Sequence, residues 1–69
     1  MKLGILTTIE KEIFELLILN KTTKDVANIL NISEKTVRNH ISNVMQKLEV
    51  KTRYQAVIEL LKIGELKLN

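Results

Sequence analysis

"SEKTVRNHISNVMQKL", residues 33–48, runs on two faces at once. Val37, Ile41, Val44 and Leu48 recur at the spacing of a buried helix face. Between them stand Lys35, Arg38, Asn39, Ser42 and Gln46, and no acid follows Glu34 until the segment ends. Ser33 precedes the pattern as a capping residue, so the helix starts there. One face is apolar and belongs to a core; the other carries only bases, amides and hydroxyls.

The residues just before this helix complete a motif. Thr22 caps a short helix in which Val26, Ala27, Ile29 and Leu30 are expected to face inward. Asn31-Ile32 then makes a tight turn into the Ser33 cap, and Ile32 is placed to staple onto Val37. Two short helices joined by three residues, with small Ala27 permitting close approach, form a helix-turn-helix over about 22–48. A recognition helix lies in the major groove with its N-terminal half on base edges. Arg is suited to guanine, Asn to adenine and Ser to either, whereas acids would repel phosphates. Lys35, Arg38, Asn39 and Ser42 fall at i, i+3, i+4 and i+7, a single stripe, and are the candidate base readers. Thr22 and Ser33, at helix N-termini, are candidate phosphate holders.

Two further helices flank the motif. Thr7-Thr8-Ile9-Glu10 reads as a capping box opening a helix whose apolar face is Ile13, Phe14, Leu16, Leu17 and Ile18. Asn20 ends it, since Asn tolerates the left-handed conformation. Thr52-Arg53-Tyr54-Gln55 repeats the capping box, and the helix after it runs to about Ile63 and stops at Gly64. Residues 1–5 and 66–69 are expected to fray. The expectation is an all-α, four-helix domain occupying residues 1–69.

Composition agrees. The chain has 69 residues with no Cys and no Pro, which suits one small domain in a reducing cytoplasm. With one Phe and one Tyr it lacks an aromatic platform for single-stranded RNA. No apolar run approaches membrane-spanning length, and no signal peptide is visible. The net charge is +3, and it is unevenly spread: residues 1–20 sum to −1, residues 21–55 to +4 and residues 56–69 to zero. The positive charge lies where the helix-turn-helix lies.

Chemistry is poorly provided for. His40 is the only His, without companions for zinc or a catalytic triad. Glu10 and Glu12, two apart on a helix, point to different faces, and Glu10 already caps. Neither an enzyme nor a cofactor, metal or small-molecule site is expected. Met45 suits the edge of the core. In the last helix Ala56, Val57 and Leu60 suit the core, while Tyr54, Ile58 and Leu61 form a second apolar stripe. That stripe fits a twofold dimer interface, or a cover for the chain ends near Leu3, Leu66 and Leu68. From the residues alone two readings stay open: a DNA-binding regulator, and a helical interaction module whose basic stripe meets an acidic protein.

"LTTIEKEIFELL" (6–17), "KTTKDVANILNISEKTVRNHISNVMQKLEV" (21–50) and "TRYQAV" (52–57) resemble the LuxR/GerE-type helix-turn-helix family. The resemblance covers Leu6 to Leu66 and is strongest, at "ISEKTVRNHISN" and "QAV-ELL", to small stand-alone sporulation regulators. It implies a four-helix DNA-binding domain of a bacterial transcription regulator acting on double-stranded DNA; the homodimer suggested by the stripe of the last helix would then read a palindromic site, with RNA polymerase as a further expected partner. It also implies that Lys35, Arg38, Asn39 and Ser42 stand where the family reads bases. Thr23, Lys24, Thr36, His40, Lys47 and Arg53 match positions expected near the phosphate backbone. The helix at about 53–63, which carries the Tyr54, Ile58 and Leu61 stripe, is the expected dimerisation helix. Departures occur at Thr8-Ile9, where Pro or a charge is common, and at Asn20, which replaces a usual Gly. In many relatives the domain ends a response regulator; with few residues before Thr7, no receiver is expected here. The sequence fits either a stand-alone regulator or the effector part of a larger one.

Overall fold

A computed structural model describes residues 5–68, and it contains four helices: α1 (Thr8–Leu17), α2 (Thr23–Leu30), α3 (Glu34–Leu48) and α4 (Arg53–Lys62). The same punctuation opens each one. Thr7, Thr22, Ser33 and Thr52 sit in extended backbone at the four N-caps, and each hydroxyl accepts the amide N–H three residues on. Thr7 and Thr22 close full capping boxes with Glu10 and Asp25. Gln55 departs from the expected reciprocity: its side chain accepts from the Lys51 N–H at 3.0 Å, one residue ahead of the cap.

The ends are as uniform as the starts. Asn20, Asn31, Glu49 and Gly64 each adopt positive φ just past a helix. The following residue's N–H then returns to a carbonyl five positions back: Lys21 to Leu16, Ile32 to Ala27, Val50 to Met45 and Glu65 to Leu60. Asn20 therefore fills a position that Gly would also suit. Glu49 carries no such preference and was not legible as a helix end.

Ile13, Phe14, Val26, Val37, Val44, Ala56 and Leu60 are wholly buried, with Ala27, Ile41 and Leu66 nearly so. All four helices contribute to this one core, and Ile32, Met45, Leu48 and Val57 pack around it. Burying these ten side chains at roughly 1–3 kcal/mol each drives folding of so small a chain. Two expectations fail. Ile29, taken as inward-facing, is 54% exposed, because Val26, Ala27 and Leu30 form the face of α2 that packs on the core and Ile29 lies off it. Leu66, taken as frayed, is in the core: the chain turns at Gly64 and folds back so that the Leu66 N–H reaches Leu60 O. Leu68 is exposed as expected. Residues 1–4 and 69, also assigned to fraying, lie outside the described residues. Among the described residues no helix is long and apolar enough to cross a membrane.

Candidate nucleic-acid interface

The core fixes how α3 is rotated. With Val37, Ile41 and Val44 inward, Lys35, Arg38, Asn39 and Ser42 are all exposed on the opposite face, followed by Asn43 and Gln46. The four candidate base readers thus share one open stripe. Arg38 is not idle there: its Nη1 lies 3.6 Å from Glu34 Oε1, one turn earlier. Asn43 was not singled out from the sequence, although it lies one position beyond Ser42 on the same exposed side.

At the start of α3 the Ser33 hydroxyl accepts the Thr36 N–H at 3.0 Å and donates to Thr36 Oγ1 at 2.9 Å. Thr22 is similarly engaged, accepting from the Asp25 N–H at 3.1 Å while its own N–H donates to Asp25 Oδ2. The two bonds from Thr22 hold the exposed Asp25 carboxyl below its usual range. Both candidate phosphate hydroxyls are therefore built into helix caps.

A contact between distant residues links α2 and α4. Arg53, the first residue of α4, donates from Nη2 to Thr23 Oγ1, the first residue of α2, at 3.4 Å. The N-termini of these two helices thus meet, and exposed Lys24 lies on the next residue of α2. His40 is half-buried, and its Nδ1 is enclosed without a hydrogen-bond partner.

Lys47 is held from inside the fold. Its Nζ donates to Glu10 Oε1 at 2.6 Å and to the Ile5 carbonyl at 3.2 Å. Glu10 is the one charged residue among those buried, with its side chain 4% exposed, and the same Oε1 also accepts the Thr7 N–H. Burial pushes the Glu10 carboxyl up. The hydrogen bond from Lys47, that from Thr7 and the Lys47 charge reverse this and hold it below its ordinary 4.5. The pair pins the last turn of α3 to the first turn of α1. Sequence reading found the cap at Glu10 but not its partner, 37 residues away.

On α4, Tyr54 is 74% exposed and Ile58 is 37% exposed; they line a shallow groove with Val50, Lys51 and Lys62. Leu61, expected on the same outward stripe, is half-buried and packs against the core. Leu60 is wholly buried, as expected. Among the described residues no three His, Cys, Asp or Glu side chains gather as a metal site.

A short capped helix, a three-residue turn and a second helix with an exposed stripe of bases, an amide and a hydroxyl define a DNA-binding helix-turn-helix domain. The profile described as "Bacterial regulatory proteins, luxR family" matches residues 4–60, and the chain belongs to that family. It is 67% identical over 64 residues to the spore germination protein GerE of Bacillus subtilis, covering 93% of this chain and 86% of that one. It is also 45% identical to the transcriptional regulatory protein DegU of Brevibacillus brevis, over 94% of this chain but only 28% of DegU. A solved structure of the transcription factor GerE superimposes with a TM-score of 0.94 at 57% identity, covering 97% of this chain and all of that one. The protein is thus a GerE-like, DNA-binding domain of transcription regulation.

Proposed function

We propose that the chain regulates transcription of spore-stage genes, as the name of its GerE relative suggests, by binding palindromic duplex DNA as a twofold dimer. The observation that carries this reading is the exposed stripe of Lys35, Arg38, Asn39 and Ser42 opposite the buried Val37, Ile41 and Val44. In the major groove, Arg38 pairs with a guanine, Asn39 with an adenine, and Lys35 and Ser42 with neighbouring base edges. The phosphate backbone is held by Thr22, Thr23 and Lys24 at the start of α2, by Ser33, Thr36 and His40 on α3, and by Arg53. Lys47 joins them through the third of its N–H donors. Tyr54 and Ile58, with the outer edge of Leu61, form the contact between two copies. That contact sets the spacing of the two reading helices. RNA polymerase at the promoter is the further partner, and the site of action is the nucleoid in the cytoplasm. The similarity to DegU supports a second setting for the same domain, as the effector part of a response regulator.

Selection of bound sequences from random duplex DNA tests the reading. The expected product is an inverted repeat with half-sites about one helical turn apart, roughly 10 base pairs. A single unrepeated half-site would remove the dimer. No enrichment at all would remove sequence reading by the α3 stripe.

A further inference from the structure

The reading helix carries one acid, and it stands at the end that would enter the groove. Glu34 is the first residue of α3, is exposed, and faces Arg38 across one helical turn at 3.6 Å. As a stabilising contact this pair contributes little, being an exposed i,i+4 ion pair. An acid among groups that meet phosphates also weakens binding to every sequence. Its position against the guanidinium gives it a different effect. An Arg fork has five N–H donors, and a carboxylate on Nη1 still leaves the Nη2 and Nε edge for a planar acceptor pair.

Resting on the reading that Arg38 contacts guanine, we propose that Glu34 is a positioning residue for DNA discrimination: its carboxylate holds one edge of the Arg38 guanidinium, presenting the other edge to a guanine and withholding the side chain from phosphates elsewhere. On the correct sequence, the bidentate guanine contact is made with the pair intact. On other sequences Arg38 reaches a phosphate only by leaving Glu34. Discrimination then comes from penalising the wrong duplex, with little gain on the right one.

The test uses E34Q, R38A, the double variant E34Q/R38A, and E12Q as a charge control. Glu12 is an exposed acid on the α1 face beside Gly64 and Glu65, away from α3. Each variant is titrated with the selected duplex and with a scrambled duplex of equal length, across a salt series. E34Q should tighten binding to the scrambled duplex about twofold more than binding to the selected one, the scale of one exposed i,i+4 ion pair. Its salt slope on the scrambled duplex should steepen by about 0.9, the value of one further phosphate contact. In the R38A background E34Q should leave the ratio of the two affinities unchanged, and E12Q should not alter that ratio. Equal tightening on both duplexes would reduce Glu34 to a repelling charge and overturn the proposal. A fall in the ratio that persists without Arg38 would overturn it as well, placing the effect at the helix N-terminus. If R38A alone weakens both duplexes equally, the guanine reading of Arg38 fails, and that arm shows it without reference to Glu34.

Discussion

Replacing Lys47 with Met tests whether the Glu10–Lys47 pair holds the reading helix in place. The methionine keeps most of the aliphatic stem and removes the ammonium. Glu10, whose side chain is 4% exposed, would then keep only its bond from the Thr7 N–H. Stripping one partner from a fully buried pair costs about 3–5 kcal/mol. Lys47 is itself 36% exposed, so solvent screens part of the attraction, and about 1–3 kcal/mol is the appropriate figure. A domain of this length has about 3–10 kcal/mol in total, at 0.05–0.15 kcal/mol per residue. Thermal melting followed by circular dichroism should therefore show a midpoint lower by roughly 5–20 °C at neutral pH. The pH dependence gives a second check. Because the folded Glu10 carboxyl is held below its ordinary 4.5, its contribution is fully present above that value and is lost as pH falls through the folded value. The deficit of Lys47→Met should shrink as the pH drops below 4.5, since protonated Glu10 no longer needs the ammonium. Adding Glu10→Leu to Lys47→Met should restore much of the midpoint, an apolar pair replacing an uncompensated charge. A midpoint within about 2 °C of the parent at neutral pH would refute the pinning role. In parallel, loss of one phosphate contact would flatten the DNA-binding salt slope by about 0.9, whereas an unchanged slope would confine Lys47 to the interior pair.

Arg38→Ala should cost about 1–3 kcal/mol on the selected duplex and relax preference at one base pair, measured by binding to singly substituted duplexes. Glu49→Gly should stabilise the domain by about 0.5–1 kcal/mol, because Glu49 is held at φ 56, where a Cβ is unfavourable; Glu49→Ala should give no such gain in melting temperature. Ile58→Glu should leave helical content intact and abolish dimers in sedimentation, reducing binding to the two-half-site duplex while sparing a single half-site. Leu60→Glu, by contrast, should unfold the chain, since Leu60 is wholly buried and an unpaired core charge exceeds what the domain can tolerate.

What the sequence makes legible here is what acts over one or two helical turns. The four cap hydroxyls, the apolar spacing of Val37, Ile41 and Val44, and the Asn and Gly stops are local chemistry, and the helices follow them closely. Misreadings fall where a residue's fate depends on another element. Ile29 has helical spacing suited to burial, but the face of α2 turned to the core is that of Val26, Ala27 and Leu30. Leu66 looked like a loose end until the turn at Gly64 carried it back under Leu60. Leu61 matched the outward stripe of Tyr54 and Ile58 by periodicity, yet it is partly buried against the core. With ten regular residues of mixed apolarity, α4 has no sharp boundary between its two faces.

The same division runs through the interface. The stripe on α3 could be read because its members lie within two turns of one another, and core burial then fixes the face they share. Its long-range supports were hidden, since nothing local connects Lys47 with Glu10 or Arg53 with Thr23, 37 and 30 residues apart. Both links change what a basic side chain is available to do. Lys47 commits two donors to the fold, and Arg53 commits one, so their formal charges overstate what reaches a phosphate. Arg38 is different again, because its partner Glu34 lies on its own helix at i,i+4 spacing, a local pairing that the reading of the stripe had passed over. Counting bases gives the sign of a surface; the partners of those bases decide how much of that charge discriminates between one DNA sequence and another.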